Sequence, residues 1–453
     1  MMTSNKMGYL PNDNPAIGKL ILLGFQHVLT MFPATVFVAL FTGFHVGTVL
    51  FASGISTIVA LLLSKWRIGK FIPLFYGSSF SYIAAYLGVI RAMTGQDHVG
   101  FGPPTTDEVL GTMQAGIVVT GMLNIIVGAI IRAVGKGAVD KVLPPVVTGS
   151  VAAIIGFGLS YAALGSLASA NFLVALLTLL VTILFSVYLR NRGFIGMLPV
   201  LLGGIAGYIL SALLDIGSVN FDNVTSAPLI QAPHLTFPNF SGEFVLTAIF
   251  SISIMAIATI PESTAHLYQI SLYVDRLADE QTKERYGLDQ HIGFNLILDG
   301  IGDFLNGLMG ATAGTNYGEN NSLMAITRNY SGPALIGAGV IAILLGFVGK
   351  LAALVGTVPL AVSGGLAIYL FGVIGMQGIA LMQENKVSMF DPRNLAVGAT
   401  IMVVGIGGHI GYDGFLPIPV GSVFPSGLPA IATAAVLGIL INAIFLIFKP
   451  PEA

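Results

Sequence analysis

Long apolar stretches alternate with short polar segments along the whole chain. A transmembrane helix needs about 20 apolar residues to cross the hydrocarbon core of a bilayer. Fourteen stretches are candidates for such helices, and they begin near Leu20, Thr48, Tyr82, Leu110, Val146, Phe172, Met197, Phe244, Ile292, Leu323, Ala334, Leu351, Leu395 and Leu428. The pattern therefore predicts an all-α polytopic membrane protein with fourteen spans.

The composition agrees with a membrane protein and excludes several other classes. Of the 453 residues, 55% are hydrophobic and only 9% are charged, whereas roughly 25% of the residues in a soluble domain are charged. The net charge of −2 leaves no basic surface for nucleic acid. The chain has no Cys, which excludes disulfides, thiolate metal sites and thiol catalysis. Residues 1–15 are polar and lack the apolar core of a signal peptide, so we expect a retained cytoplasmic tail.

The Lys and Arg residues test the number of spans independently. Cytoplasmic loops carry an excess of these residues, so every second loop should be basic if the N-terminus is cytoplasmic. In that arrangement 17 of the 19 basic residues lie in cytoplasmic segments, and Arg91 and Lys350 are the exceptions. We therefore expect both termini on the cytoplasmic side of the plasma (inner) membrane.

Two segments that depart from plain helix lie where spans are expected. Residues 71–80 (FIPLFYGSSF) contain a Pro and a Gly-Ser-Ser, and residues 310–322 (GATAGTNYGENNS) form a polar Gly/Thr/Asn run. Irregular backbone at membrane depth is tolerated only where protein or a wet cavity satisfies its polar groups. We therefore expect spans 3 and 10 to be broken, with short extended segments.

The spacing of polar residues predicts an inverted repeat of seven plus seven spans. Gln26 and Ser79 are 53 residues apart, and so are His266 and Glu319. Span 1 then corresponds to span 8, and span 3 to span 10. Interrupted helices at matching places in two inverted halves point to a transport site near the bilayer midplane.

Acidic residues inside spans are costly and usually face a functional cavity. The four residues of this kind are Glu262, Asp299, Asp303 and Glu319. Glu262 follows Pro261, which predicts a kink at that point of span 8. His266 lies one helical turn further on and is predicted to orient the Glu262 carboxylate.

Glu319 lies where the polar segment 310–322 is expected to enter a helix. A helix N-terminus offers free N–H groups and a partial positive charge, and Gly318 lets a ligand approach the backbone closely. Two carboxylates would repel a compact anion. A flat neutral heterocycle fits better, with its edges on Glu262 and Glu319 and its faces on Phe80 and Tyr317.

Four short motifs occupy these positions: QH at residues 26–27, GSSF at 77–80, ESTAH at 262–266 and YGENNSLMAITR at 317–328. Together they resemble the nucleobase–ascorbate transporter family (nucleobase:cation symporter-2), and within it the uracil permease branch. The resemblance implies a secondary transporter for a nucleobase, with uracil favoured. It implies no enzyme activity, no cofactor and a homodimer.

The resemblance also implies roles for single residues. Glu262 and Glu319 bind the base, His266 supports Glu262, and Phe80 and Gly318 offer backbone N–H groups. Ala34 and Tyr317 line the pocket. Supporting residues are expected at Gln26, His27, Ser79, Asn320 and Asp299. Other expectations come from the residues themselves. His27 lies in the middle of a span, and a bond across to the core helices and a plain helix–helix hydrogen bond both stay open. Asp299 and Asp303 lie one turn apart on one helix face and are expected to bond polar groups between core helices, with Asp299 also a candidate relay.

A division into a core domain and a gate domain follows from the same resemblance. The predicted segments are a cytoplasmic tail (1–15), core spans 1–4 (16–142), gate spans 5–7 (143–215), an external connector (216–243), core spans 8–11 (244–350), gate spans 12–14 (351–448) and a second cytoplasmic tail (449–453). The core is expected to carry the substrate past the gate in an elevator-type movement.

Proton symport is the expected coupling, because a carboxylate in a dry cavity resists ionisation. Glu262 would take up the proton, with His266 beside it. Sodium coupling, a xanthine or other purine substrate, and an anion carrier of similar fold are the alternatives. A further alternative is an intramembrane aspartyl protease, because GIGDF at 300–304 contains a Gly-x-Gly-Asp motif and a Tyr412-Asp413 pair follows downstream.

Overall fold

The apolar stretches of the sequence fold into helices. The computed structural model describes residues 8–96, 104–135, 137, 141–190, 192–215, 219–418 and 423–448. Predictions about residues 1–7, Lys136 and the tail at 449–453 concern residues outside these ranges. Within the described ranges, eight helical segments are long and apolar enough to cross a membrane, and four apolar helices of 10–17 residues accompany them. The predicted helical polytopic membrane protein is confirmed, and the number of fourteen spans stays a prediction.

The first half of the chain contains helices and one short strand. Its elements are α1 (Ile17–Phe41), α2 (Val46–Ile68), β1 (Tyr76–Ser78), α3 (Ile83–Thr94), α4 (Asp107–Val134), α5 (Pro145–Gly158), α6 (Phe172–Tyr188), α7 (Pro199–Leu214) and α8 (Asp222–Ser226). A 3-10 turn at Phe80–Tyr82 leads from β1 into α3, and a π-helical turn at Ala162–Leu167 follows α5.

The second half has a similar make-up. Its elements are α9 (Val245–Ser253), α10 (Ala256–Glu280), α11 (Ile292–Met309), β2 (Gly314–Asn316), α12 (Gly318–Thr327), α13 (Gly332–Gly346), α14 (Gly349–Val355), α15 (Leu360–Glu384), α16 (Pro392–Gly411), β3 (Phe415–Leu416), β4 (Leu428–Pro429) and α17 (Ala430–Ile447).

The two segments predicted to break spans 3 and 10, residues 71–80 and 310–322, meet as a pair of strands. β1 pairs with β2 in an antiparallel register, with Tyr76 opposite Asn316 and Ser78 opposite Gly314. Each strand leads within two residues into a helical turn, so the two helices leave this point in opposite directions. We call the two strands and the helix starts that follow them the crossing. The prediction of short extended segments at 71–80 and 310–322 is confirmed.

Glycines bring three pairs of long helices into close contact. A Cβ added to the first glycine of each pair would lie 2.6–2.7 Å from the carbonyl oxygen of its partner. The pairs are Gly47 of α2 with Gly346 of α13, Gly121 of α4 with Gly300 of α11, and Gly149 of α5 with Gly378 of α15. Small residues at such contacts let helix backbones approach within a bilayer.

The break in the eighth predicted span does not fall at Pro261. α10 runs through Pro261, and the helix is interrupted at Ile254 and Met255. Short-range bonds mark this turn, because the N–H of Ile257 donates to Ile254 O (3.1 Å) and the N–H of Ala258 to Met255 O (2.9 Å). A proline ring clashes with the carbonyl four residues before it. For Pro261 that carbonyl belongs to Ile257, which lies beyond the interrupted turn, so the interruption is a separate feature and the predicted kink at Pro261 stays a prediction.

The end of the predicted N-terminal tail is held against the second half. The N–H of Tyr9 donates to Arg328 O (2.9 Å), and the N–H of Tyr330 donates to Tyr9 O (2.8 Å). The N–H of Gly332 donates to Pro11 O (2.9 Å). The segment before α1 is thus joined by backbone hydrogen bonds to the loop between α12 and α13.

Candidate substrate site

The hydroxyl of Tyr317 ties the crossing together. It donates to Ser78 O (2.8 Å) and lies 2.8 Å from Thr35 Oγ1 on α1. A Cβ at Gly77 would lie 2.7 Å from the Tyr317 ring, so only glycine fits beneath it. The Tyr317 side chain is 4% exposed. The structure therefore places it as a packing and bonding element of the crossing, and its predicted contact with the face of a ligand stays a prediction.

Asp303 holds the second strand against α4. One carboxylate oxygen accepts from the N–H of Gly314 (2.6 Å), and the other accepts from Asn124 Nδ2 (3.0 Å). Asp299, one turn earlier on α11, lies 3.5 Å from Asn316 Nδ2. Both aspartates are buried, and they bond polar groups between helices as expected.

His266 is bonded to the backbone and side chain of Asn316. Its Nδ1 lies 2.9 Å from Asn316 O and 2.9 Å from Asn316 Oδ1. Both partners are acceptors, so Nδ1 carries the proton and Nε2 of a neutral ring is an acceptor. Nε2 faces Gly318, where an added Cβ would lie 2.7 Å from it. A hydrogen bond from His266 to Glu262 is not among those of the described residues.

The two predicted ligand-binding acids lie in one region. Glu262 is half-buried on α10, and Glu319 is the second residue of α12. Their carboxylates are close enough to interact electrostatically. Glu319 is exposed, so this region is open on its side and not enclosed like the dry cavity that the sequence led us to expect.

The other residues predicted for the site differ in how far they are buried. Ala34, Phe80 and Gly318 are half-buried, and Ser79 is buried beneath them as the cap of the turn at Phe80–Tyr82, accepting from the N–H of Ser81 (3.3 Å). The Phe80 ring lies 5.9 Å from that of Phe37 on α1.

His27 connects α1 to α12. Asn320 Nδ2 lies 3.1 Å from both His27 Nδ1 and His27 O. This is a bond from α1 to the helix that begins at the crossing. Neighbouring Gln26 is half-buried and its carbonyl accepts from the Thr30 hydroxyl (3.0 Å).

Sequence reasoning missed three residues that position the site. Asn316 fixes the His266 ring, Ser263 accepts from Asn316 Nδ2 (2.7 Å), and Asn321 Nδ2 donates to His266 O (3.0 Å). Asn316 and Asn321 belong to the polar segment 310–322, so a polar amide at membrane depth was the available signal. Ser263 lies between Glu262 and His266 in the ESTAH motif.

The two aspartates of the protease alternative do not form a pair. Asp303 is 2% exposed and bonded within the crossing. Asp413 pairs with Arg91 (3.0 Å), and its side chain is 66% exposed. Aspartyl proteases need two aspartates that share one proton.

The fold is that of a helical membrane protein, and the family match below makes the chain an integral membrane transporter and not an enzyme. The chain matches the Permease family over residues 18–413, and it therefore belongs to this family, the nucleobase:cation symporter-2 family. The resemblance noted in the sequence is confirmed.

Several relatives are similar over nearly their whole length. The chain is 34% identical to the uracil permease of Bacillus caldolyticus (95% of this chain, 93% of the relative). It is 31% identical to the uracil permease of Escherichia coli strain K12 (98% and 95%) and 30% identical to the putative pyrimidine permease RutG of that strain (99% and 95%).

Solved structures share the fold at low identity. The transmembrane domain of the cyanobacterial bicarbonate transporter BicA has a TM-score of 0.57 at 14% identity (96% of this chain, 99% of that domain). The murine anion transporter Slc26a9 has a TM-score of 0.62 at 13% identity (97% and 70%). At these identities the likeness concerns the fold alone.

Proposed function

We propose that this protein imports uracil by proton symport. The observation that carries the proposal is the identity of 30–34% with uracil and pyrimidine permeases over nearly the whole chain. The site supports the same reading, because the carboxylates of Glu262 and Glu319 interact electrostatically and Glu319 lies in the first turn of α12, where a helix N-terminus offers free N–H groups.

Uracil alternates N–H and C=O groups along its edge. We assign its N–H groups to Glu262 and Glu319, and its carbonyls to the backbone N–H groups of Gly318 and Phe80. A carboxylate that accepts hydrogen bonds from a neutral ligand makes charge-assisted bonds, which are the stronger kind. Each bond is also directional, so the set selects one orientation of the ring.

Glu262 is the acid assigned to proton coupling, because it is less exposed than Glu319. A charge carried across the membrane without a paired cation is costly, so the loaded carrier crosses more readily with Glu262 protonated. The carbonyl oxygen of the protonated acid still accepts from the base, and Glu319 then makes the charge-assisted bond. The proton enters from the outside with the substrate and leaves to the less acidic cytoplasm. His266 supports Glu262 through its Nε2, because its Nδ1 is held by Asn316.

The transport cycle we propose moves a core domain against a gate domain. The core comprises residues 16–142 and 244–350, and the gate 143–215 and 351–448. Fourteen spans in two inverted halves are part of this proposal. The glycine contacts support the inverted halves. The pair α2 and α13 corresponds to spans 2 and 11, and the pair α4 and α11 corresponds to spans 4 and 9. Because span 2 matches span 9 and span 4 matches span 11, exchanging the two halves converts one pair into the other. The pair of spans 5 and 12, α5 with α15, maps onto itself.

The proposal includes a homodimer in the plasma membrane with both termini cytoplasmic. Light scattering of the detergent-solubilised protein measures the mass of the assembly. Protease protection of tags at each end measures the orientation of the termini.

A thermal-shift screen of the purified protein tests the substrate. The ligands are uracil, thymine, xanthine, hypoxanthine, adenine and ascorbate. A ligand that binds only the folded state raises the unfolding temperature, so uracil should stabilise the protein and adenine should not. Stabilisation by xanthine alone would contradict the uracil assignment and favour a purine carrier.

Uptake into proteoliposomes tests the coupling ion. A proton ionophore should abolish uracil accumulation, and replacement of Na⁺ by K⁺ should leave it unchanged. The opposite pattern would contradict proton symport and favour Na⁺, which unwound backbone carbonyls at a broken helix are able to hold.

The shared fold of BicA and Slc26a9 favours one second candidate, an anion carrier. Glu262→Gln and Glu319→Gln separate the two candidates. A uracil carrier should lose binding with either change, because a carboxylate acceptor is lost. An anion carrier should tolerate or gain from the loss of negative charge.

A further inference from the structure

Three side chains of the types that ligate metals converge near the first residues of α2 and α4. His45 is the residue before α2, Asp107 is the first residue of α4, and His234 lies in the connector at 216–243. One ligand atom of each lies within 4.8 Å of the others. These residues play no part in the substrate site.

The contacts within the cluster are already close. His234 Nε2 lies 2.9 Å from Asp107 Oδ1, and the ring centroids of His45 and His234 are 4.2 Å apart. Two imidazoles and a carboxylate form a donor set that suits a first-row divalent cation such as Zn²⁺, with water at the open position. Ligand atoms around a tetrahedral zinc ion are about 3.3 Å apart, so small side-chain rotations close the site.

The backbone around the cluster is fixed from several sides. The Thr48 hydroxyl donates to His234 O (2.8 Å), and the N–H of Thr105 donates to Gly43 O (2.8 Å). Gln114 Nε2 on α4 donates to Thr236 O (2.8 Å), which anchors the connector two residues beyond His234. The ligands are therefore held in place before a cation arrives, while the side chains of His234 and Asp107 are 45% and 65% exposed and open to entry from solvent.

We propose that His45, Asp107 and His234 form a binding site for a divalent transition-metal cation, with Zn²⁺ as the representative ion. The cation replaces the hydrogen bond between His234 Nε2 and Asp107 Oδ1, with Nε2 ligating through its lone pair and the ring proton on Nδ1. A bound ion joins the connector to the first residues of α2 and α4. It binds independently of the nucleobase, so the proposal stands apart from the proposed transport function.

The first test measures thermal unfolding of the protein, purified with an affinity tag that contains no histidine, during titration with Zn²⁺. The unfolding temperature should rise to a plateau in the wild type and return after EDTA. The rise should be lost in His45→Asn and His234→Asn and retained in His291→Asn, a control at the start of α11. No rise in the wild type, or the same rise in all four proteins, would overturn the proposal.

The second test uses the absence of Cys from the chain. His234→Cys places the sole thiol at the site, and Co²⁺ replaces Zn²⁺ as a coloured probe. A thiolate-to-cobalt charge-transfer band should appear in this variant and disappear in His234→Cys combined with His45→Asn. A folded His234→Cys protein that gives no such band would show that residue 234 does not ligate the metal.

Discussion

Gly318 and the His266 ring are in direct contact across the candidate site. A Cβ at residue 318 would lie 2.7 Å from His266 Nε2, and the ring cannot turn away freely because both bonds at Nδ1 go to Asn316. The N-terminus of α12 and the histidine of α10 therefore determine each other's position.

Gly318→Ala should weaken uracil binding by about tenfold or more, which corresponds to about 1.4 kcal/mol. The added methyl group displaces either the His266 ring or the first turn of α12. Calorimetric titration measures the Kd. Gly372→Ala in α15 is the matched control, because a Cβ there has nothing within 4 Å. Unchanged affinity in Gly318→Ala would contradict the contact.

Tyr317→Phe should destabilise the protein by about 1–3 kcal/mol. The change leaves Ser78 O and the Thr35 hydroxyl, both buried, without this partner. Unfolding in detergent by heat or denaturant measures the loss. Tyr188→Phe is the control, since Tyr188 is 74% exposed, and it should have little effect.

The two substitutions Asp303→Ala and Asp303→Asn should differ in stability. Alanine removes both acceptors, which we expect to cost about 2–4 kcal/mol, from two buried hydrogen bonds. Asparagine keeps one acceptor for Gly314. Its new amide N–H₂ group can donate to Asn124, because Asn124 Oδ1 has no partner among the described residues and a flip of its amide brings it into position. Thermal unfolding of both variants checks the order, and equal losses would contradict it.

The two close helix pairs α2–α13 and α4–α11 should respond alike to an added methyl group. Gly121→Ala in α4 and Gly47→Ala in α2 should each cost about 1–3 kcal/mol, because the methyl group meets a backbone carbonyl of the partner helix. Gly407→Ala in α16, where a Cβ has nothing within 4 Å, should be neutral. Denaturant unfolding measures all three. Tolerance of Gly121→Ala would show that α4 and α11 are packed less tightly than described.

Much of the architecture could be predicted because its signals are local. Apolar length predicted the helices. A Pro and a Gly-Ser-Ser predicted the broken segment at 71–80, and a polar run inside an apolar context predicted the one at 310–322. The equal spacing of Gln26 from Ser79 and of His266 from Glu319 predicted that these segments correspond, and they pair as strands.

The contacts that shape the site could not be predicted in the same way. The partner of His266 is Asn316, 50 residues away, and the Tyr317 hydroxyl reaches Ser78, 239 residues away. Such bonds depend on how distant segments meet. The interruption of the helix at Ile254 and Met255 was not predicted, because no proline or glycine marks that turn in the sequence.

The pairing of β1 with β2 also orders events during biosynthesis. A ribosome must complete residue 316 before the backbone groups of Tyr76, Gly77 and Ser78 find their strand partner. Until then the third hydrophobic segment carries backbone polar groups without their strand partners, which lipid cannot satisfy. Truncated chains that end before Gly314 should therefore be recognised and degraded as unfinished, however hydrophobic their completed helices are.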